Sequence, residues 1–414
     1  MASQKMSRKV ATIEEATRLF HQSLTLTRLQ PEVTPVEDSL GRVLAVDIVA
    51  ADDLPAVDKS AVDGYAVIAG DTFSASPNNP VLLRITSLDP TSDSPLKIGE
   101  AAYVHTGSPM PRGSDAAVMI EFTNKIGPET IEVYKAVAPR DDVSWRGEDV
   151  RKGEIVLKEG TKLEPQDLGM LAALDLSKIQ VYKKPVVGIL STGSELVSLG
   201  SEKRRGQVTD VNNIILSAMV RKSGGESLPL GSVKDDLQSI RSRIIEGLER
   251  SDLMVVSGGT SEGQADLTVK AIDSLGEPGV VVHGIAMRPG RPTALASVKG
   301  RPVINLSGYP VAAMVGFYLF GRPLLARMLQ TAEDPEPHVR ARVTRRVPSG
   351  SGLRSFVRVN VSTLGEGYVA DPVRTTGSGA ISSMIRANGL LVISEDVEGV
   401  DENEEVDVVL FKPI

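Results

Sequence analysis

Two carboxylates, Asp58 and Asp63, lie five positions apart in a segment that reads Pro-Ala-Val-Asp-Lys-Ser-Ala-Val-Asp-Gly-Tyr-Ala from residue 55 to residue 66. The segment contains too many turn-forming residues for a helix. Gly64 follows Asp63 and allows the backbone to take a positive φ or to pass close to a ligand. The pattern is typical either of an ordinary Asp-Gly turn or of a carboxylate presented at a surface for chemistry.

Two glycine-rich turns each follow an apolar run that is typical of a buried strand. The first is Thr192-Gly193-Ser194-Glu195, and the second extends from Ser257 to Gly263 and leads to Asp266. Ligands of open α/β sheets bind where strands lead into helix N-termini, because free backbone N–H groups point there. The turns therefore predict a phosphate or oxyanion site with these candidate residues: Thr192, Gly193, Ser257, Gly258, Gly259 and Ser261. Neither turn matches a Walker A loop or the G-x-G-x-x-G pattern, which argues against direct ATP hydrolysis and against a dinucleotide-dependent dehydrogenase.

Acids and arginines supply the remaining candidates. The acids are Asp63, Glu195, Asp235 and Asp266, and the arginines are Arg288, Arg291 and Arg358. Carboxylates offer the hard oxygens that Mg²⁺ takes together with substrate phosphates. Guanidinium groups hold phosphates and oxyanions through forked donors. Taken singly, each acid is more commonly a solvated residue or a helix cap.

Composition limits the classes of protein. The chain has 414 residues, no cysteine and four histidines, and its 46 Lys and Arg against 53 Asp and Glu give a net charge of −7. This balance argues against general nucleic-acid binding. Without cysteine there is no disulfide or thiolate site, and His283 has no second histidine at a metal-binding spacing. No apolar run of about 18 residues and no apolar leader stand out, so we expect a cytoplasmic protein that does not enter a membrane.

The apolar patterns predict the elements that position these residues. Helical spacing predicts a helix over 12–29 with a Thr12–Glu15 capping box, and Pro165 to Leu174 predicts a short helix. Apolar runs alternate with amphipathic stretches between 185 and 330, which indicates a doubly wound parallel sheet. The predicted strands are 186–190, 226–230, 253–257, 280–282 and 303–306, and the predicted helices are 210–223, 235–250, 264–275 and 310–330.

Five segments follow from these patterns, and the fold class is multidomain α/β plus β. Residues 1–30 form a helical segment that packs with the linker or the α/β domain, and residues 31–49 with 141–180 form a small mixed linker domain. The doubly wound domain at 181–333 is flanked by an all-β domain at 50–140 and by a C-terminal β domain at 334–414.

The motifs together resemble those of molybdopterin molybdenumtransferases, and the resemblance covers nearly the whole chain in the same order. The segment 55–66 is similar to the family signature Pro-x-Phe-Asp-x-Ser-Ala-Met-Asp-Gly-Tyr-Ala. The two turns match Ser-Thr-Gly-Asp/Ser-Glu and Ser-Gly-Gly-x-Ser-x-Gly-x-x-Asp. Further matches are Thr106 in Thr-Gly-Ser-Pro-Met-Pro, Asp235 in Lys-Asp-Asp, Arg288 and Arg291 in Met-Arg-Pro-Gly-Arg-Pro, Ser307-Gly-Tyr-Pro310, Arg358 and Ser378.

The resemblance implies a reaction and a set of roles. It implies that adenylylated molybdopterin and molybdate, or tungstate, give molybdenum cofactor and AMP in a Mg²⁺-dependent step. The catalytic acids are then Asp63, Glu195, Asp235 and Asp266, of which the last three bind the metal. The substrate-binding set adds Thr106, Arg288, Arg291, Arg358 and Ser378 to the turn residues. It also implies a homodimer whose site lies between the α/β domain of one subunit and the β domain of the other.

Several positions depart from the family pattern. Val57 and Val62 replace Phe and Met, and Ser307 replaces a proline, which adds a hydroxyl and frees φ. Gly284 replaces a basic residue, Gln264 a Glu, and Leu267 a Tyr. Two alternative functions stay open: a nucleotidyltransferase that adenylylates molybdopterin, and a non-catalytic molybdopterin-binding scaffold.

Overall fold

A computed structural model describes residues 10–87, 94–258, 265–374 and 377–414, without the side chains of residues 265, 266 and 374. Contacts between residues divide the chain into two compact units. The first unit contains residues 1–32 and 182–414, and the second contains residues 33–181.

Helix α1 opens the described chain at Ile13–Ser23. The Thr12 hydroxyl accepts a hydrogen bond from the Glu15 N–H at 3.1 Å, as the predicted cap requires. The helix ends six residues before the predicted boundary. Its end is set by tertiary contacts, because the Thr25 N–H donates to the Gly300 carbonyl at 3.0 Å instead of continuing the helical ladder.

The second unit contains short strands and one helix. The strands are β1 (Pro31–Pro35), β2 (Ile48–Val49), β3 (Lys59–Ser60), β4 (Gly64–Val67), β5 (Val81–Ile85), β6 (Glu100–Val104), β7 (Ala116–Met119), β8 (Thr123–Lys125), β9 (Thr130–Val133), β10 (Val143–Ser144), β11 (Ile155–Leu157) and β12 (Lys178–Tyr182), and the helix is α2 (Pro165–Ala173). Six strands form one sheet in the order β7-β4-β6-β5-β9-β8. A separate small core joins Val36 and Leu44 to Leu163, Leu171 and Val181, so the chain returns to this core after the β sheet.

The first unit contains the α/β domain. Its strands are β13 (Val186–Thr192), β14 (Leu196–Val197), β15 (Val208–Thr209), β16 (Glu226–Val233), β17 (Leu253–Ser257), β18 (Pro278–His283), β19 (Met287–Arg288), β20 (Ala294–Val298) and β21 (Arg301–Leu306). Its helices are α3 (Val211–Lys222), α4 (Leu237–Arg250), α5 (Ala265–Asp273), α6 (Pro310–Gly316) and α7 (Arg322–Met328), and the π-helical turn Phe317–Gly321 joins the last two.

The central sheet has the order β16-β13-β17-β21-β20-β18. The first four strands are parallel, as the alternating pattern predicts. The last two strands, β20 and β18, pair antiparallel, so the prediction of a parallel sheet is wrong for these two strands. Strand β20 was not predicted. The sequence of β20, Ala-Leu-Ala-Ser-Val, has few β-branched residues and gives a weak strand signal.

Both faces of this sheet are buried, which explains the continuous apolar strand sequences. On β17, Leu253 and Val255 pack on one side and Met254 and Val256 on the other. Helices α1, α3, α6 and α7 contribute to the first layer, and α4 and α5 contribute to the second. The run Pro310–Met328 is long and apolar enough to cross a membrane by length and composition, which the sequence did not lead us to expect, but most of it is buried in this core.

The C-terminal part of the same unit is a β barrel. Its elements are β22 (His338–Val343), β23 (Val347–Pro348), β24 (Arg354–Leu364), β25 (Gly367–Arg374), α8 (Ser382–Arg386), β26 (Gly389–Ile393), β27 (Gly399–Val400) and β28 (Glu405–Leu410). The order β24-β25-β22-β28-β26 closes because β26 also pairs with β24. Strand β19 of the α/β domain adds to this sheet beside β24.

Candidate functional site

The carboxyl ends of β13, β17 and β21 lie side by side, and we call the side of the central sheet where these strands end its carboxyl edge. Ser191 pairs with Ser257, and Ser257 pairs with Leu306. The loops that follow these strands therefore start next to one another, as expected for a ligand site on a doubly wound sheet. Both glycine-rich turns of the sequence begin here.

The first turn contains one buried hydroxyl and one exposed carboxylate. Thr192 is 4% exposed, and its Oγ1 has no hydrogen-bond partner among the residues that the structure describes. The Gly193 N–H donates to the Val233 carbonyl at 3.0 Å, which joins the turn to the end of β16. Glu195 is exposed, and its carboxylate forms no hydrogen bond within the described part of the chain.

Asp235 is held against this turn by two reciprocal hydrogen bonds. The Ser194 N–H donates to Asp235 Oδ2 at 3.1 Å, and the Asp235 N–H donates to Ser194 Oγ at 3.3 Å. One Asp235 oxygen stays available for a ligand. The structure thus brings the carboxylates of Glu195 and Asp235 to neighbouring turns at the same edge.

The second turn passes so close to the first that it requires glycine. Gly258 has a φ of 145°, and a Cβ atom built on it would lie 2.2 Å from Thr192 Oγ1. Its N–H donates to the Leu306 carbonyl at 3.1 Å. Gly259, Ser261 and Gln264 lie outside the described residues. Asp266 lies in α5, but its side chain is outside the described part, so its predicted catalytic role stays a prediction.

The loop that carries Arg288 and Arg291 is fixed through its backbone. Arg288 ends β19, where it pairs with Ser355 of β24, and the Ile285 N–H donates to the Arg291 carbonyl at 2.9 Å. Both side chains are exposed, and neither guanidinium has a partner among the described residues. A Cβ on Gly290 would lie 3.6 Å from the Ala312 carbonyl, which places this loop beside the first turn of α6.

Arg358 and Ser378 connect the barrel to the start of α6. Arg358 is 3% exposed, and it donates to Ser383 Oγ at 3.3 Å and to the Gly377 carbonyl at 2.9 Å. The Ser378 carbonyl accepts from the Val311 N–H at 3.1 Å. The guanidinium of Arg358 thus holds the loop that bears Ser378, a structural role that a prediction of direct substrate binding did not include.

Ser307, the departure from proline, forms hydrogen bonds inside this edge. It is 3% exposed, its Oγ accepts from the Tyr309 N–H at 3.3 Å, and its carbonyl accepts from the Ser257 hydroxyl at 3.3 Å. The added hydroxyl therefore caps the loop that leads into α6. Gly284 has a φ of 89° with open space around it, and Leu267 packs in the layer of α4 and α5.

Asp63 and Thr106 form a separate pair in the second unit. The Thr106 N–H donates to Asp63 Oδ1 at 2.8 Å, and His105 Nδ1 lies 3.6 Å from the same oxygen. The hydrogen bond from the Thr106 N–H holds the pKa of Asp63 below its usual range, and the His105 ring acts in the same direction. Asp63 is therefore an exposed, ionised carboxylate at neutral pH.

Sequence reasoning missed Asn212, which lies in the first turn of α3 and is 6% exposed. Its Nδ2 donates to Ser257 Oγ at 2.7 Å and to the Gly308 carbonyl at 2.8 Å. The signal was present as an Asp-Val-Asn-Asn run that opens a helix directly after a strand. His105, next to Thr106, was also missed.

The chemistry of this edge fits Mg²⁺ with substrate phosphates. Glu195 and Asp235 offer hard oxygens, and Mg²⁺ binds through one or two carboxylates together with phosphate oxygens and water. Among the described residues, no three Asp, Glu or His side chains form a metal-binding group. The described acids would therefore hold the ion jointly with a phosphate ligand.

Comparisons with known proteins cover almost the whole chain. Residues 11–174 match the MoeA N-terminal region (domain I and II), residues 188–327 match a probable molybdopterin binding domain, and residues 340–411 match the MoeA C-terminal region (domain IV). The chain is 34% identical over 405 residues to molybdopterin molybdenumtransferase 2 of Mycobacterium tuberculosis, covering 96% of this chain and 98% of the relative. It is 31% identical to the molybdopterin molybdenumtransferase of Bacillus subtilis, covering 92% and 90% of the two chains.

A solved structure has the same architecture. The crystal structure of the molybdopterin biosynthesis MoeA protein from Pyrococcus horikosii matches with a TM-score of 0.83 at 38% identity. The match covers 98% of this chain and 100% of that chain.

Proposed function

We propose the detailed reaction of this chain on the premise that it belongs to the molybdopterin molybdenumtransferase family. It is a transferase of molybdenum cofactor biosynthesis. Our proposal is that adenylylated molybdopterin and molybdate give molybdenum cofactor and AMP in a Mg²⁺-dependent step. The observation that carries it is the reciprocal pairing of Ser194 with Asp235, which holds a second carboxylate beside Glu195 at the strand ends.

The acidic and the basic residues of this edge have different proposed roles. Molybdate and the phosphates of the substrate are anions, and carboxylates alone would repel them. Mg²⁺ held by Glu195 and Asp235, with Asp266 as a further proposed ligand, would supply positive charge that polarises the pyrophosphate. Arg288 and Arg291, whose guanidinium groups have no partner within the described ranges, would bind a phosphate or oxyanion through forked donors.

In this proposal the two glycine-rich turns orient the bound substrate. The backbones of Thr192 and Gly193, and of Ser257 and Gly258, approach closely enough to form one continuous surface under a ligand. Arg358 and the Ser378 loop position the first turn of α6. Asp63, with Thr106, is the catalytic carboxylate of the second unit in this proposal.

The test is AMP release from the purified protein with adenylylated molybdopterin and Mg²⁺, in the presence and absence of molybdate. We expect release that requires molybdate and that falls about 100-fold or more in Asp235→Asn, because a preorganised charge is lost. Asp236→Asn is the matched control, since Asp236 caps α4 by accepting from the Ser239 N–H, and Asn is an equally good cap.

Two other results would contradict the reaction. Consumption of ATP with molybdopterin alone would identify a molybdopterin adenylyltransferase. Tight binding of the adenylylated substrate without AMP release under any condition would identify a binding scaffold.

Further properties belong to the same proposal. We propose a homodimer, the assembly that the resemblance implies, and a cytoplasmic location. Molybdate is the proposed oxyanion, and a parallel assay with tungstate would show which of the two is preferred.

A further inference from the structure

The loop between β14 and β15 contains three adjacent cations, Lys203, Arg204 and Arg205, which we call the basic turn. Their side chains are exposed, and none has an ion-pair or hydrogen-bond partner among the residues that the structure describes. Glu202 is the only acid of this loop, so the loop is positively charged in a chain whose net charge is −7. Unpaired positive charge at one place on an acidic chain indicates a surface that meets anions.

The backbone of the basic turn has a defined conformation. The Arg204 N–H donates to Gln207 Oε1 at 2.9 Å, and the Gln207 N–H donates to the Arg204 carbonyl at 3.0 Å. Gly206 has a φ of 93°, which this position of a four-residue turn accepts most readily from glycine. The turn keeps the Cα atoms of Arg204 and Gln207 within about 7 Å of each other. The cations are therefore held close to Gln207.

Gln207 in turn lies beside Glu195. Strands β14 and β15 pair in parallel with Leu196 opposite Val208, and the Val208 N–H donates to the Glu195 carbonyl at 3.0 Å. Residues that directly precede two parallel paired strands lie at the same end of the pair, roughly 5 Å apart. Glu195 precedes β14 and Gln207 precedes β15. The basic turn is therefore next to the exposed carboxylate of the carboxyl edge.

This placement suits the capture of an anion. The carboxylates of Glu195 and Asp235 repel anions, whereas unpaired cations nearby raise the local concentration of anions and their rate of association. Arginine side chains also hold phosphates and oxyanions through forked donors. We propose that the basic turn is an accessory anion-binding surface that captures the substrates of the carboxyl edge through their phosphate or oxyanion groups. This inference rests on the proposed function.

The experiment uses the full chain and a triple variant that removes the three charges, Lys203→Gln with Arg204→Gln and Arg205→Gln. AMP release from adenylylated molybdopterin with Mg²⁺ and molybdate is measured from about 20 mM to about 500 mM salt, a range over which screening of exposed charges becomes strong. Tungstate titrations by calorimetry and titrations of adenylylated molybdopterin by pterin fluorescence, without molybdate, separate the two kinds of anion. Melting temperatures check that each variant is folded.

A second triple variant removes the same charge at the opposite side of the sheet. Lys183 and Lys184 precede β13, and Lys222 ends α3 just before β16, so all three lie near the amino ends of the strands. They are exposed, and their side chains have no partner in the described ranges. Strand β13, Val186–Thr192, separates the two sides by roughly 23 Å. The control is Lys183→Gln with Lys184→Gln and Lys222→Gln.

We expect the basic-turn variant to lower kcat/KM for the adenylylated substrate or for molybdate roughly 10-fold or more at low salt, and by less than about two-fold at high salt. Its kcat should stay within about two-fold of the wild type, because the turn captures the substrate without contacting the reacting atoms. The control variant should stay within about two-fold of the wild type at every salt concentration. A weaker affinity for tungstate would assign the oxyanion to the turn, and a weaker affinity for adenylylated molybdopterin would assign the phosphates.

Three results would overturn the inference. The first is wild-type kcat/KM in the basic-turn variant at low salt. The second is an equal loss in the control variant, which would show that only the net charge matters. The third is a loss that does not depend on salt, which would show a structural role for the loop. A wild-type protein that releases no AMP would instead overturn the proposed function, and the two binding titrations would still test the basic turn.

Discussion

Asp63 is an exposed carboxylate whose pKa is lowered by its neighbours. The hydrogen bond from the Thr106 N–H lowers this pKa, the His105 ring acts in the same direction, and the side chain remains more than half exposed. Asp58, five residues earlier, also accepts one backbone N–H, from Arg146 to its Oδ1 at 2.8 Å, but it is only partly exposed. The two acids of the segment 55–66 therefore differ in exposure, and we propose the catalytic role for Asp63 alone.

This difference predicts the outcome of a matched pair of substitutions. We expect Asp63→Asn to lower the rate of molybdate-dependent AMP release about 100-fold or more with little change in melting temperature, because the charge of the proposed catalytic carboxylate is removed. Asp58→Asn keeps an acceptor for the Arg146 N–H and should stay within about three-fold of the wild type. Equal rates for the two variants would refute a catalytic role for Asp63.

Gly258 is the residue at which the approach of the two turns can be tested. A Cβ there would meet Thr192 Oγ1 at 2.2 Å and the Thr192 carbonyl oxygen at 2.4 Å, and the positive φ adds strain. We expect Gly258→Ala to lower the free energy of unfolding by about 3 kcal/mol or more, measured by denaturant titration.

The control for that substitution is Gly365→Ala in the β24–β25 turn. Gly365 has a φ of 61° and no atom within 4 Å of the added methyl group. Backbone strain alone should cost about 1 to 2 kcal/mol there. A cost at Gly258 no larger than at Gly365 would contradict the close packing of the two turns.

At the scale of elements, Arg354 joins three parts of the first unit. At the start of β24 it donates to Glu395 after β26 at 2.8 and 2.9 Å and to Glu14 of α1 at 2.5 Å. Its backbone N–H donates to the Ala286 carbonyl just before β19. The Arg354 side chain thus connects the barrel to α1, and its backbone connects the barrel to the residue before β19, the strand that ends at Arg288.

The pairing predicts a dependence of stability on pH. The Arg354 guanidinium holds the pKa of Glu395 below its usual range. A carboxyl group with a lowered folded pKa contributes stability above its unfolded pKa of about 4.3, and this contribution is lost as the pH falls through the folded value. We expect Glu395→Gln to lower the free energy of unfolding by about 1 to 2 kcal/mol at about pH 7 and by much less near pH 3.

Urea titrations at several pH values measure this difference. Glu398→Gln is the control, since the Glu398 carboxylate has no partner in the described part of the chain. A difference for Glu395 that does not depend on pH would show that the ion pair with Arg354 contributes nothing to stability.

At the scale of the whole molecule, the chain consists of two compact units, and the candidate residues are divided between them. The edge with Thr192, Glu195, Asp235 and Ser257 belongs to the first unit, and Asp63 with Thr106 belongs to the second.

The proposed homodimer can be tested by light scattering coupled to size-exclusion chromatography. We expect a mass near twice the 44.1 kDa of one chain over a range of protein concentrations. A mass of one chain at concentrations where the enzyme is fully active would refute a requirement for the dimer.

The α/β domain could be predicted from the sequence, because strands buried on both faces need continuous apolar runs such as Leu253–Ser257. Gly193 and Gly258 could also be recognised from the sequence, since few residues other than glycine tolerate their positive φ. The sequence could not give the end of α1 or the direction of β20, because both depend on hydrogen bonds to residues distant in the chain.

The contacts inside the candidate site could not be predicted from the sequence and became known only from the folded structure. Asn212 contacts Gly308, which lies 96 residues away, and Arg358 turned out to hold a loop from within the barrel. The burial of a polar side chain and the pairing of its atoms follow from which strand ends become neighbours. The pattern of residues within one segment does not show which strands will become neighbours, because strand order is set by the fold of the whole sheet.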